Sequence, residues 1–100
     1  MGRRLPRVRL GSPPREWKIR VGPRPRGVDR AWVGYCDHET RTIWVSNQQG
    51  DLATLETAVH EAMHAVLPDL SETAITRMSR QVLAVALVVV GRAKAFRRDD

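Results

Sequence analysis

The sequence predicts an α+β fold in which a small antiparallel sheet of about three strands precedes two helices. Two observations support this order. Residues 15–46 contain short segments of strand-like composition, and residues 51–95 contain apolar residues at helical spacing. A chain of 100 residues is long enough for one small domain. We expect residues 1–14, which are rich in Arg, Pro and Gly, to form a flexible basic arm, and residues 15–98 to form that domain.

Three segments have the composition of strands. Apolar and charged residues alternate over residues 15–21, which is typical of a half-buried strand. Residues 31–36 and 41–46 are predicted to form a second and a third strand, joined at hairpin length by residues 37–40. The third strand has large apolar residues on both of its faces, so we expect both to be at least partly covered. The three tryptophans are expected to be core residues that cover the sheet: Trp17, Trp32 and Trp44.

Two helices are predicted after the strands. The first begins at Asp51, an expected N-cap, and ends at Pro68. Its apolar residues recur every three or four positions and form one stripe: Leu52, Leu55, Val59, Met63 and Val66. The last helix is predicted from about Ser71 to Ala95. Its middle, residues 82–90, is apolar on all sides, so we expect this helix to be buried.

The charge of the chain is unevenly distributed. The net charge is +6, and residues 1–30 contain ten of the 17 Lys and Arg residues but only two acids. The basic arm, residues 1–14, is predicted either to contact the phosphates of a nucleic acid or to serve as a solubilising tail. A single cysteine, Cys36, excludes an intramolecular disulfide. The longest apolar run has nine residues, whereas a membrane span needs about 20, so we expect a cytoplasmic protein with no membrane span.

The first predicted helix contains the sequence H-E-x-x-H at residues 60–64. Two histidines four residues apart lie on the same side of a helix, about one turn apart, so His60 and His64 can bind one zinc ion. The adjacent Glu61 would be the general base that takes a proton from zinc-bound water. We expect the histidines to border the apolar stripe and Glu61 to lie further round the helix. The motif predicts a zinc hydrolase, in particular a peptidase.

The motif leaves the third zinc ligand open. A catalytic zinc site has three protein ligands and one open position, and no histidine follows the motif. We therefore expect a carboxylate, and we favour Glu72 over Asp69, although both residues also suit helix capping. If both bound together with the two histidines, all four positions would be closed. The chain would then be a structural zinc protein that retains the motif without catalysis.

The predicted hairpin contributes three further candidates. Cys36 and His38 are two residues apart and would share one face of a strand, so they form a second possible metal-binding pair. The alternative is a buried cysteine beside a turn histidine. Tyr35 or His38 is a candidate donor of a hydrogen bond to the oxyanion that forms when a carbonyl group is attacked.

Two stretches of this chain resemble the zincin metallopeptidases: GYCDHETRTIWVS at residues 34–46 and TLETAVHEAMHAVLPDLSE at residues 54–72. More narrowly, they are similar to short H-E-x-x-H proteins of phages and prophages, which are distant relatives of the ImmA/IrrE-type peptidases. The similarity covers residues 34–80, about half of the chain.

The resemblance implies a zincin-like domain, a bound zinc ion and a peptide or protein substrate. It assigns His60 and His64 as zinc ligands and Glu61 as the catalytic residue, and it points to Glu72 as the acidic third ligand. Zincins also hold the substrate backbone in extended form beside a sheet edge, and residues 41–46 match that element.

Overall fold

The computed structural model describes residues 4–98, and the side chains among them up to Ala93. Its elements are β1 (Arg7–Leu10), β2 (Arg15–Gly22), β3 (Gly34–Asp37), β4 (Thr42–Ser46), α1 (Asp51–Val66) and α2 (Glu72–Arg98). The predicted α+β class is confirmed. The four strands form one sheet in the order β1-β2-β4-β3. The β1–β2 and β3–β4 pairs are antiparallel and the β2–β4 pair is parallel, so the prediction of about three antiparallel strands describes the sheet only loosely.

Strand β1 lies within the segment for which composition predicts a flexible arm. It pairs with β2 so that Arg7 lies opposite Lys18 and Leu10 lies opposite Arg15. The turn between the strands begins at Gly11, whose φ of 95° favours glycine. Backbone pairing orders residues 7–10 although three of them have exposed side chains. The structure therefore differs from the predicted arm over these residues.

The third predicted strand proves to be internal. Strand β4 pairs with β2 on one side and with β3 on the other, so β3 is an edge of the described sheet. The prediction that residues 41–46 form a substrate-binding sheet edge is therefore wrong, because both sides of β4 are already paired. Residues 23–33 connect β2 to β3, which lies on the far side of β4. Strand β3 begins at Gly34 rather than at residue 31, so residues 31–33 belong to this connection.

The core lies between α1 and one face of the sheet. Its buried cluster comprises Trp17, Ile43, Val45 and Ala65. On the opposite face, Trp44 is fully buried and its indole Nε1 donates a hydrogen bond to the Gly22 carbonyl oxygen at 3.1 Å. The prediction for Trp17 and Trp44 is confirmed. It is wrong for Trp32, which is 53% exposed because it lies in the connection before β3 and not in the sheet.

Helix α1 faces the sheet with small residues and not with its predicted apolar stripe. Ala58, Glu61 and Ala65 are partly or fully buried, whereas Leu52, Leu55 and Val66 are exposed. The expectation that Glu61 lies further round the helix, away from the core, is wrong, because Glu61 is buried on the side of α1 that contacts β3. The helix starts one residue after its N-cap, Gly50, and not at a capping Asp51 side chain.

Helix α2 packs antiparallel along α1. Its buried residues are Ile75, Ser79 and Leu83. The Ser79 hydroxyl donates to the Ile75 carbonyl oxygen at 2.7 Å and also contacts Met63 Sδ at 3.3 Å. The side chains after Leu83 are exposed as far as Ala93, because α1 is the only described element that α2 contacts. The prediction of a buried C-terminal helix is therefore wrong for residues 84–93.

By length and composition, one helix is able to cross a membrane. The segment Glu72–Ala93 has 22 residues and a mean hydropathy of 1.4. Of the 18-residue stretch that meets the criterion, 17% is buried. Core helices of globular proteins satisfy the same criterion, so one such helix does not establish a membrane span. The expectation of a chain without a membrane span stays a prediction.

Gly34 allows the close approach of β3 to α1, and this makes it a sensitive position. A Cβ atom at residue 34 would lie 2.6 Å from Thr57 Cγ2 and 2.9 Å from the Trp44 carbonyl oxygen. Gly34→Ala should therefore lower the free energy of unfolding by about 1–3 kcal/mol, measured by urea denaturation. The matched control is Gly22→Ala, because a Cβ there meets no atom within 4 Å. Equal stability of the two variants would contradict the proposed close packing.

Candidate metal centre

The antiparallel helices bring together three of the residues singled out in the sequence. Glu72 Oε1 lies 2.7 Å from His60 Nε2, and Glu72 Oε2 lies 2.6 Å from His64 Nε2. The two Nε2 atoms are 3.2 Å apart. Two imidazoles and one carboxylate thus direct a nitrogen or oxygen atom toward one point. Among the described residues, this is the group of His, Cys, Asp and Glu side chains that is suited to hold a metal ion.

Local structure explains why these side chains converge. His60 and His64 lie one turn apart on α1, and their ring centroids are 4.8 Å apart. The chain then reverses through residues 67–71. Ser71 caps α2, because its Oγ accepts a hydrogen bond from the Ala74 backbone N–H at 3.1 Å. Glu72 is therefore the first residue of α2 and faces the histidines. Asp69 is not a member of the group.

The donor set fits zinc in kind and in spacing. Two imidazole nitrogens and a carboxylate are among the ligands that catalytic zinc sites use. Two nitrogens bound to the same tetrahedral zinc at about 2.05 Å are separated by about 3.3 Å. The observed Nε2–Nε2 distance of 3.2 Å is close to that value. The Glu72 oxygens lie at hydrogen-bonding distance from the rings, so a bound ion requires only a small movement of this 70% exposed side chain.

Glu61 lies beside this group and is 8% exposed. Its Cγ packs close to Gly34, where a Cβ would lie 3.3 Å away. Burial raises the pKa of the Glu61 carboxyl; the charges of His60 and His64 oppose this shift, and that of Glu72 adds to it. A buried carboxyl with a raised pKa is a better proton acceptor than an exposed one, and this suits the role predicted for Glu61.

The group opens into a cleft of about 640 Å³ between the sheet edge and the two helices. One side is formed by β3 and the residues before it, and the other by α1 and the first turns of α2. The residues that line both sides are Ala31, Trp32, Val33, Gly34, Tyr35, Cys36, His38, Glu56, Thr57, His60, Glu61, His64, Glu72, Thr76 and Arg80. The edge strand and the potential metal ligands thus share one cleft.

The other sequence candidates lie in the same cleft but outside the ligand group. Cys36 Sγ is 3.7 Å from His38 Nε2, and the His38 ring packs edge-on against Trp17 at 5.3 Å. Within the described part of the chain, neither Cys36 nor His38 belongs to a group of three potential ligands. Tyr35 also lines the cleft and contacts the Trp44 ring, with centroids 5.5 Å apart. The suggested oxyanion role of Tyr35 or His38 stays a prediction.

Trp32 and Arg80 are two of the cleft residues that the sequence did not single out as functional. Trp32 was assigned to the core, yet its exposed ring lines the cleft. The loop that carries it is held by Arg24, whose Nη2 donates to the carbonyl oxygens of Arg30 at 2.6 Å and Trp32 at 3.0 Å. Arg80, which follows Glu72 by eight residues and so lies on the same side of α2, also lines the cleft.

Comparison with known proteins finds no relative for this chain. No protein-family model, no curated protein and no solved structure matches it. The resemblance of residues 34–46 and 54–72 to zincins therefore stays an expectation.

Cys36 should be unreactive in the folded protein. Burial, together with the nearby charges of Glu61 and Asp37, raises the pKa of the Cys36 thiol to about 12. Because the thiolate is the nucleophile, alkylation by iodoacetamide at pH 8 should be at least about tenfold slower in the native protein than in urea. Mass spectrometry reports the rate without ambiguity, since Cys36 is the only cysteine. Equal rates in the two states would show that the thiol is ionised or exposed in the cleft.

Proposed function

We infer that this protein is a zinc-dependent metallopeptidase of the H-E-x-x-H type. One observation carries the proposal: two histidines of α1 and the first carboxylate of α2 converge on one point beside a buried glutamate. In this proposal His60, His64 and Glu72 hold the zinc ion, and Glu61 is the catalytic residue. The substrate is a peptide or a protein segment in extended form.

In this proposal the side chains of the protein position the reacting groups and transfer protons. A bound zinc ion polarises a carbonyl group and lowers the pKa of a water molecule to about 7. Glu61 accepts a proton from the attacking water and later donates it to the leaving amine, a role that its raised pKa favours. The packing of Glu61 against Gly34 restricts the motion of its carboxylate, so the base stays beside the ligand group.

The edge strand supports an extended peptide as the substrate. Strand β3 has one paired side, toward β4, and its residues line the cleft that contains the ligand group. A peptide added beside β3 would form backbone hydrogen bonds along this edge. Its carbonyl groups would then pass the point on which His60 and His64 converge. We assign to β3 the substrate-binding role that the sequence suggested for residues 41–46.

A structural zinc site is the main alternative at the same place. Such a site closes all four positions with protein ligands. The group found among the described residues has three members, and Asp69 is not one of them. Three ligands at the rim of a cleft leave a position open to solvent and substrate, which favours catalysis over a purely structural role.

A second activity, binding to a nucleic acid, is favoured by the arrangement of β1 and β2. The sheet face opposite α1 carries a cationic patch: Arg7, Arg9, Lys18 and Arg20. The pairing places Arg7 opposite Lys18, and alternate residues of a strand lie about 6.6 Å apart on one face. Only Glu16, which accepts a hydrogen bond from Arg7 at 2.5 Å, offsets this charge on the same two strands. We therefore propose phosphate contacts on this face.

Glu61→Gln tests the catalytic assignment. The variant should hydrolyse peptides about 10²–10⁴ times more slowly, because its amide cannot accept the proton. Zinc content and melting temperature should stay close to those of the parent chain. Glu39→Gln is a suitable control, since Glu39 is an exposed residue of the β3–β4 turn. Undiminished hydrolysis by Glu61→Gln would refute the proposed role of Glu61.

Zinc titration tests the ligand set independently of activity. The purified chain should bind about one zinc ion, and its melting temperature should rise with free zinc because the metal binds the folded state. Glu72→Gln should weaken zinc binding at least about tenfold. Asp69→Asn should leave it unchanged. This ligand set would be excluded if the chain took up no zinc. It would also be excluded if Asp69→Asn weakened zinc binding and Glu72→Gln did not.

Salt dependence tests the cationic patch. Affinity for a short duplex DNA should fall as the salt concentration rises, and Arg20→Gln should reduce the slope of log K against log [salt] by about one. Arg77→Gln, on the exposed side of α2, is the control that removes one cation elsewhere. If both variants reduce the slope equally, binding reflects only the net charge of the chain.

A further inference from the structure

Arg80 has a distinctive place in the cleft. It is the only Lys or Arg among the described residues that line it. Apart from the histidines, the other residues that line the cleft are neutral or acidic. A single cation in such a cleft is a candidate for contact with an anionic group of the substrate.

The Arg80 guanidinium is oriented by one contact. Its Nε donates a hydrogen bond to Glu56 Oε1 at 3.0 Å. Neither of its two Nη atoms donates to another described residue. Arginine presents five donors in a planar fork that matches the two oxygens of a carboxylate. Glu56 thus fixes one edge of the guanidinium, while the Nη atoms remain available for a ligand in the cleft.

The ion pair between Arg80 and Glu56 contributes little to the stability of the fold. The side chains of Arg80 and Glu56 are 70% and 40% exposed. Water and salt weaken ion pairs between side chains as exposed as these. An exposed ion pair of this kind does not by itself explain why a cation lines the cleft.

The position of Arg80 sets its distance from the metal centre. Glu72, Thr76 and Arg80 follow one another at intervals of four residues along α2, and all three line the cleft. Eight residues of helix extend about 12 Å. An extended peptide covers that length in about three to four residues. A group bound by Arg80 therefore belongs to a residue a few positions from the bond beside Glu61.

We propose that Arg80 is a specificity-determining residue that binds a carboxylate of the substrate, so that the cleft selects acidic peptides. The proposal rests on the peptidase function inferred above. It names the class of substrate: a peptide with Asp, Glu or its C-terminal carboxylate about three to four residues from the scissile bond. Glu56 is the positioning residue that orients the guanidinium.

The test uses the full zinc-loaded chain and a library of fluorogenic peptides in which Glu replaces Gln at one position at a time. At one position, kcat/KM should be on the order of tenfold higher for Glu than for the isosteric Gln. This preference should decrease as ionic strength rises. Arg80→Gln should abolish the preference, and Arg77→Gln, a neighbour outside the cleft, should preserve it.

Glu56→Gln separates recognition from packing. It removes the same ion pair as Arg80→Gln but leaves the cation in place. If Arg80 only joins the two helices, each variant will change kcat/KM by the same factor for the Glu peptides as for the Gln peptides. If Arg80 binds the substrate, Glu56→Gln keeps a smaller preference for Glu, because the cation remains but is less well oriented, and only Arg80→Gln loses the preference. Equal kcat/KM values for every Glu and Gln pair in the parent chain would overturn the proposal.

A binding measurement keeps this result distinct from failure of the peptidase proposal. In the Glu61→Gln variant, peptide binding can be followed by tryptophan fluorescence, since Trp32 is 53% exposed in the cleft while Trp17 and Trp44 are 4% and 0% exposed. The Glu peptides should bind about tenfold more tightly than the Gln peptides. If that difference appears but no peptide is hydrolysed by the parent chain, the peptidase function fails and Arg80 recognition stands. Equal affinities overturn Arg80 recognition.

Discussion

The antiparallel packing of α2 along α1 is the interaction on which the candidate site depends. An isolated H-E-x-x-H helix presents two imidazoles, and a third ligand must come from another element. The reversal at residues 67–71 and the Ser71 cap place Glu72 within 2.7 Å of both ring nitrogens. The same packing buries Ile75, Ser79 and Leu83, so the residues that stabilise the pair of helices also determine where the carboxylate lies.

A second constraint is the close contact between α1 and the edge strand. Gly34 has no side chain, so the helix approaches β3 closely enough for Glu61 to pack against its backbone. Burial in this place raises the pKa of the Glu61 carboxyl and holds it between the strand edge and the histidines. A buried carboxyl without this role would be an unfavourable choice at a helix–sheet contact, because desolvation of a charge is costly. The geometry therefore connects packing with the proposed chemistry.

Some predictions from the sequence failed for one shared reason, which is that periodicity describes a single element and not its neighbours. The apolar stripe of α1 correctly indicates a helix, yet Leu52 and Leu55 are exposed because small residues face the sheet. Residues 82–90 are apolar throughout, yet most of them are exposed because α1 is the only described element that contacts α2. Hydrophobicity measures the tendency to be buried. Burial itself requires an element that covers the side chain.

The sequence by itself determined the α+β class, the approximate positions of strands β2 to β4 and of both helices, and the pair of histidines one turn apart, because these depend on local periodicity and spacing. Only the tertiary structure decided that β1 joins the sheet, that β4 is internal and parallel to β2, that Glu72 and not Asp69 faces the histidines, and that Trp32 and Arg80 line the cleft. These features depend on which elements meet. Packing between residues far apart in the chain determines which elements meet, and no local sequence pattern contains this information.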